Sequence, residues 1–309
     1  MAKARFRNAV LLPLIILAAC IAGFSAGDKS DVKTVQRRTT FRAGVDMVVL
    51  RAAVTDPLNR YVTGLEKQHF KVFDNKVEQA ISHFSNDDAA LSVGVIFDRS
   101  GSMADKIVNA KNSVVRFLEK GTMQDEYFLV TFNDQVSLAQ DFTSKADDIR
   151  NQIALLQGKG RTAIYDAIYA GLQKMTQAHN DKKALIIITD GEDNSSRYTF
   201  SDVKELAKES DAQIYVVGEK GDLGYGRGII SELVSLTGGR AFFPDSLKQI
   251  DYYCDLIHTE LRNQYLLGYV PSNATYDGRW HKLKVQLEPP AGLPKLSVRA
   301  KEGYFAPKR

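Results

Sequence analysis

A doubly wound, mostly parallel α/β sheet with short β-strands flanking it at both ends of the sequence is the fold this chain predicts. Three observations lead there. From residue 91 to about 263, continuous apolar runs alternate with segments of 3.6-residue periodicity. Runs that are apolar at nearly every position are strands buried on both faces, which requires helices on both sides of the sheet. Before and after that stretch the texture changes to short alternating or β-branched runs separated by turn residues, the pattern of antiparallel strands. The composition, 44% hydrophobic and 25% charged over 309 residues, is ordinary globular usage with room for two domains.

In chain order, strand character begins over 45–55 and continues at 70–73 and 77–84. Asp56-Pro57-Leu58-Asn59 and Asp74-Asn75 supply the turn chemistry between these runs. In the middle segment the buried strands are 91–97, 128–132, 184–188 and 214–217. Ile107, Ala110, Val114, Phe117 and Leu118 form one apolar helix stripe, and Ile164, Ala167, Ile168, Leu172 and Met175 form another. Cys254 falls with Ile250, Ile257 and Leu261 at helical spacing, which predicts a buried, inert thiol. Strand texture returns at 265–270, at 283–287 with Lys284 and Gln286 alternating, and at 296–299. The expected segments are a signal over 1–27, a polar tether over 28–44, an N-terminal β segment over 45–88, the α/β domain over 89–263 and a C-terminal β segment over 264–309. The two β segments are expected to pack together as a small β-sandwich into which the α/β domain is inserted.

Lys3, Arg5 and Arg7 precede an apolar stretch over 9–22, the charged and apolar regions of a secretory signal. That stretch is too short to span a bilayer comfortably. Leu17-Ala18-Ala19-Cys20 resembles a bacterial lipobox, which would make Cys20 a lipidated N-terminus; the competing route is cleavage after Ser25 or Ala26. Either route leaves no pair for a disulfide, since Cys20 and Cys254 are the two cysteines. The chain carries 41 basic and 37 acidic residues, a formal charge of +4. Loss of the three leader cations leaves a nearly neutral chain with its Lys and Arg scattered among acids. Such a surface lacks the basic face that phosphate backbones require, so nucleic-acid binding is excluded. No unit of 20–50 residues recurs, which excludes a solenoid or propeller.

Ligands of doubly wound sheets sit beyond the carboxyl ends of the strands, where the strand order reverses. Two such ends carry aspartate: Asp98 in Asp98-Arg99-Ser100-Gly101-Ser102-Met103, and Asp190 in Thr189-Asp190-Gly191-Glu192-Asp193-Asn194. Carboxylates and hydroxyls without His or Cys suit Mg²⁺, or Mn²⁺ or Ca²⁺, rather than zinc. The histidines, His69, His83, His179, His258 and His281, show no ligand spacing. After a strand, Asp98, Ser100 and Ser102 can face one point while Gly101 lets the backbone bend. Neutral hydroxyls leave an ion electron-poor, so it should take an anionic ligand from outside, the Asp or Glu of a partner. The alternative is that these residues only cap helices and form turns.

Asp98-x-Ser100-x-Ser102 after an apolar strand resembles the metal-ion-dependent adhesion site of von Willebrand factor type A domains. The family pattern continues with a threonine in a later loop, matched by Thr162 in Gly160-Arg161-Thr162-Ala163, and an aspartate after a hydrophobic strand, matched by Asp190. The resemblance implies a Rossmann-like sheet in which Ser100, Ser102 and Thr162 contact the metal directly and Asp98 and Asp190 act mainly through water. It covers about half the chain. In the flanks, Val62-Thr63-Gly64-Leu65, Gln264-Tyr265-Leu266-Leu267-Gly268-Tyr269 and Glu302-Gly303-Tyr304 resemble exported type A-related proteins common in Acidobacteria.

Enzyme signatures are missing. Ser100 stands where a haloacid dehalogenase-type phosphotransferase needs its second aspartate, and no Gly-x-Ser-x-Gly elbow or phosphate loop surrounds the serines. The expected protein is therefore an exported, non-enzymatic, cation-dependent adhesion or ligand-binding protein of the periplasm, outer membrane or cell surface, lipid-anchored or secreted. It would meet the membrane only through its signal or lipid anchor. Arg99, Arg161, Tyr165 and Tyr225 are the candidate ligand rim. A metal-independent envelope scaffold and a metal-dependent hydrolase are the alternatives, and the sequence sets no oligomeric state.

Overall fold

The computed structural model describes residues 47–218, 226–246, 249–272 and 276–308. The leader with Cys20, the tether and Tyr225 lie outside the described residues. Four strands come first: β1 (Val48–Thr55), β2 (Phe70–Asp74), β3 (Val77–Gln79) and β4 (Ile81–Ser85). The α/β stretch begins with β5 (Leu91–Asp98), α1 (Ile107–Glu119), β6 (Glu126–Phe132), β7 (Val136–Thr143), α2 (Ala146–Ala154) and α3 (Ile164–Met175). It continues with β8 (Lys182–Thr189), α4 (Phe200–Glu209), β9 (Gln213–Gly218), α5 (Gly226–Thr237), β10 (Arg240–Phe242) and α6 (Ile250–Arg262). Four further strands follow: β11 (Tyr265–Tyr269), β12 (Trp280–Leu287), β13 (Ser297–Arg299) and β14 (Gly303–Phe305).

The central sheet has the order β10-β9-β8-β5-β6-β7, parallel throughout except for β7, which runs antiparallel to β6. All eight residues of β5 are buried, and alternate ones serve two cores. Leu91, Val93, Val95 and Phe97 meet α1, α2 and α6 on one face, while Ile96 joins α3, α4 and α5 on the other. Gly94 makes this packing possible, because a Cβ there would stand 2.2 Å from Phe128 Cζ and 2.6 Å from Leu185 Cδ2. Cys254 is buried on α6, and desolvation pushes its thiol up to about 12, which keeps it protonated and inert. The chain leaves β5 for β6 on one side and returns to β8 on the other. The strand order thus reverses beside β5, and the carboxyl ends of β5 and β8 are where sheets of this kind form their ligand crevice.

The flanking strands form two four-stranded sheets, β13-β1-β11-β4 and β14-β12-β2-β3. Leu50, Phe70, Val72, Tyr265, Leu267 and Leu283 from both sheets share one core. β4 and β11 pair antiparallel, with Ser85 opposite Leu266, so the strands that lead into and out of the α/β stretch are neighbours. The run over 77–84 is two strands rather than one. β3 pairs with β2, and β4 pairs with β11 in the other sheet. Burial alternates at the switch itself, with Gln79 buried, Ala80 exposed and Ile81 buried, so these three residues carry no sign of the corner. Where the flanking strands meet the α/β stretch, Glu260 of α6, with no solvent exposure, accepts hydrogen bonds from Tyr61 (2.8 Å), Tyr215 (2.9 Å) and Arg299.

Candidate metal centre

Asp98 ends β5 and is fully buried. Its Oδ1 accepts the Ser100 backbone N–H at 2.7 Å, and its Oδ2 accepts the Thr189 hydroxyl at 2.6 Å. The turn this creates delivers Ser100 and Ser102 side by side, with their Oγ atoms 3.1 Å apart. Ser102 Oγ donates to Asp190 Oδ1 at 2.7 Å, and Lys106 Nζ donates to Asp190 Oδ2 at 2.8 Å. Asp98 and Asp190 have no solvent exposure, and Ser100 (1%) and Thr162 (4%) almost none, while Ser102 is exposed at the mouth.

Thr162 arrives on a separate loop that the backbone staples in place. Lys159 N–H donates to Arg99 O at 2.9 Å, Gly101 N–H to Gly160 O at 2.9 Å, and Ala163 N–H to Asn133 O at 2.7 Å. Asn133 Nδ2 holds Lys159 O at 2.9 Å. Asn194 brackets Thr162 from the β8 side: its Oδ1 accepts Thr162 N–H and its N–H donates to Thr162 O, both at 2.9 Å. Gly160 has φ +89°, and a Cβ there would lie 2.4 Å from Asp134 Oδ1, so the close loop approach needs glycine. A Cβ placed on Gly191 would stand 3.4 Å from Thr162 Oγ1 and 3.8 Å from Ser102 Oγ, so both hydroxyls border Gly191.

Helix capping does not account for these side chains. Ser100 precedes a short 3-10 turn without a side-chain capping bond, and the residues capping α1 and α3 are Lys106 and Ala163, which make none either. Instead, the Ser100 and Ser102 hydroxyls face each other, and Ser102 faces the Asp190 carboxylate.

Burial pushes Asp98 up to about 6, partly offset by the hydrogen bonds from Thr189 and Ser100, with the negative charge of Asp190 raising it further. Two sealed carboxylates at one strand switch need positive charge nearby. Among the described residues, no group of three or more His, Cys, Asp or Glu is gathered as a metal site. Any ion in this crevice must therefore depend on hydroxyl oxygen as well as carboxylate, a donor set that fits a hard divalent cation.

At the rim, Arg99 is partly exposed and Arg161 exposed, its guanidinium donating to Asn194 O. Tyr165 is half-buried against Phe200, with ring centroids 6.2 Å apart, and burial with Asp193 and Glu192 pushes its hydroxyl up. In the acidic turn, Glu192 Oε1 accepts Gly226 N–H at 3.3 Å and Asp193 accepts the Ser196 hydroxyl, so these side chains hold the turn. Sequence reasoning passed over Lys106, Thr189, Asn133 and Asn194. Thr189 adjoins the motif and was within reach; the other three carry no local signal, because their partners lie far along the chain.

The von Willebrand factor type A domain family model matches residues 92–251, just over half of the chain, and the chain belongs to that family. Among solved structures it is similar to proximal thread matrix protein 1 of the mussel byssus with a zinc-occupied MIDAS motif. That match has 18% identity and a TM-score of 0.51, covering 61% of this chain and 49% of that one. The PilB minor pilin of Streptococcus sanguinis gives 14% identity and a TM-score of 0.47 over 58% of this chain and 63% of its own. The vWF domain of the type V pili tip protein Mfa5 of Porphyromonas gingivalis gives 14% and 0.46 over 56% and 95%. The chain thus spans less than two thirds of the minor pilin and about half of the mussel protein. At these identities the likeness concerns the fold alone. No curated protein matches the chain in sequence.

Proposed function

We propose that this chain is an exported, divalent-cation-dependent ligand-binding or adhesion protein whose ion takes an acidic group of a protein or surface partner. One observation carries the reading: three loops, stapled by backbone hydrogen bonds, turn Ser100, Ser102, Thr162, Asp98 and Asp190 toward one crevice at the strand switch. An ion held there supplies Lewis-acid attraction for a carboxylate. The chain's own residues do the rest. Ser100, Ser102 and Thr162 offer neutral oxygens, Asp98 and Asp190 supply the negative charge behind them, and Arg99 and Arg161 at the rim attract an anion.

The mussel relative is described with zinc in its motif; here the all-oxygen donor set favours Mg²⁺ or Mn²⁺, with Ca²⁺ as the next choice. Export rests on the leader, and the flanking phrases support it by their resemblance to exported type A-related proteins. Among the described residues no helix is long and apolar enough to cross a membrane. The reading is ligand capture rather than turnover, and what supports it is that both acids of the crevice are engaged by hydroxyls or a lysine.

Calorimetry tests it. Mg²⁺ or Mn²⁺ should bind, and Asp98→Ala or Asp190→Ala should weaken that binding severely with native-like circular dichroism, while Thr162→Ala shifts affinity less. In pull-downs from envelope extracts, partners should be lost with chelator and with Asp98→Ala. Partners indifferent to both would make the protein a metal-independent scaffold, and turnover of an isolated substrate would make it a hydrolase.

A further inference from the structure

We propose that Lys106 is a resident counter-ion of this centre: a tethered ammonium that neutralises Asp190 in the metal-free protein and sets how tightly a divalent cation is held. This rests on the metal-binding reading above and adds its regulation. Lys106 Nζ lies 2.8 Å from Asp190 Oδ2; the lysine side chain is 22% exposed and that of Asp190 not at all. Ser102 Oγ occupies the other oxygen of the same carboxylate at 2.7 Å. Ammonium and hydroxyl together therefore satisfy an acid with no solvent exposure.

The position of Lys106 runs against local preference. It is the N-cap residue of α1, where the partial positive charge of the helix start disfavours a cation, and the first turn of α1 has no acid to compensate. Asp190, 84 residues away in sequence, attracts it there. The charge count gives the consequence. Asp98 and Asp190 bring two negative charges into the sealed crevice, and Lys106 cancels one of them. A divalent cation arriving at the hydroxyls meets a carboxylate that is already paired and an ammonium that repels it. Whether the ammonium swings out along its partly exposed stem or stays beside the ion, it lowers metal affinity. Metal uptake becomes an exchange of charge rather than the filling of a bare acidic hole, and the metal-free fold stays intact.

The test is Mg²⁺ calorimetry on the wild type, Lys106→Met and Lys106→Arg, with thermal melts of each in EDTA and in saturating Mg²⁺. Lys106→Met keeps the stem packing and removes the charge. It should bind Mg²⁺ on the order of tenfold tighter, the scale expected when a unit charge a few ångströms from a dication is removed at high effective dielectric. Lys106→Arg should stay near the wild type. Lys106→Met should also melt lower than the wild type in EDTA and recover in Mg²⁺. Equal or weaker Mg²⁺ binding by Lys106→Met, or an unchanged melt in EDTA, overturns the counter-ion role while leaving the metal site standing. A wild type that binds no Mg²⁺ overturns both. If Lys106→Met does not fold, the Lys106 ε-methylene NMR signal of the wild type decides: it should move in step with Mg²⁺ saturation, and a signal indifferent to Mg²⁺ overturns the proposal.

Discussion

Thr189→Val removes one hydroxyl at nearly constant volume, so it isolates what a single buried donor does for Asp98. Thr189 has no solvent exposure; its Oγ1 donates to Asp98 Oδ2 at 2.6 Å and accepts the Gly191 N–H at 3.3 Å. A hydrogen bond to a charged group contributes about 1.5–3 kcal/mol, and baring a buried carboxylate oxygen costs a similar amount. The long Gly191 contact adds little. The expected loss is about 2–3 kcal/mol. A domain of this size shifts by about 2–4 °C per kcal/mol, so the melting temperature should fall by about 5–10 °C. The assay is calorimetric melting in EDTA at pH 7.5, where no added ion can mask the change. A shift within about 1 °C would mean that Asp98 does not depend on this hydroxyl, and the account of how the cluster is held would be wrong.

Two further perturbations address the fold. Gly94→Ala places a methyl 2.2 Å from Phe128 Cζ at the centre of the sheet, and overpacking of that kind costs about 1–3 kcal/mol or more; an unchanged urea midpoint would contradict the packing described. Lys182 is 1% exposed, and burial together with the charge of Arg51 holds its ammonium down to about 8 against an ordinary 10.5. The folded protein therefore gives up this proton before the unfolded chain does, so the lysine's cost is full below about pH 8 and fades as pH rises toward 10.5. Lys182→Met should stabilise the protein by about 1–3 kcal/mol at pH 7, and urea midpoints should show that gain shrinking at pH 10; a gain that grows with pH reverses the assignment.

The sequence was most legible where burial is complete. The run over 91–97 is apolar at all but Ser92 because β5 lies between two other strands with helices on both faces, and every position is buried. Legibility failed at the edges. β7 carries half-exposed residues on the outermost position of the sheet, so Val136–Thr143 needs no continuous apolar run and signals none. β10 is three residues long and sits at the opposite edge. The corner at Ala80 was hidden because alternation continues through it. In the site, residue types and their order along the chain were readable, and so was the location at two strand ends. The contacts were not. Ser102 meets Asp190 across 88 residues and Thr189 meets Asp98 across 91, distances over which no periodicity operates.

What the sequence determined by itself was the class of fold and the kind of chemistry on offer, because periodicity and residue type are local properties that burial and donor atoms impose directly. What only the tertiary structure decided was which charges face each other. Lys106 reads as an ordinary surface lysine at a helix start, and Asn194 as one more polar residue in an acidic turn. Packing β8 beside β5 sets the first against Asp190 and the second around Thr162, since the electrostatics of a sealed crevice depend on proximity in space rather than along the chain.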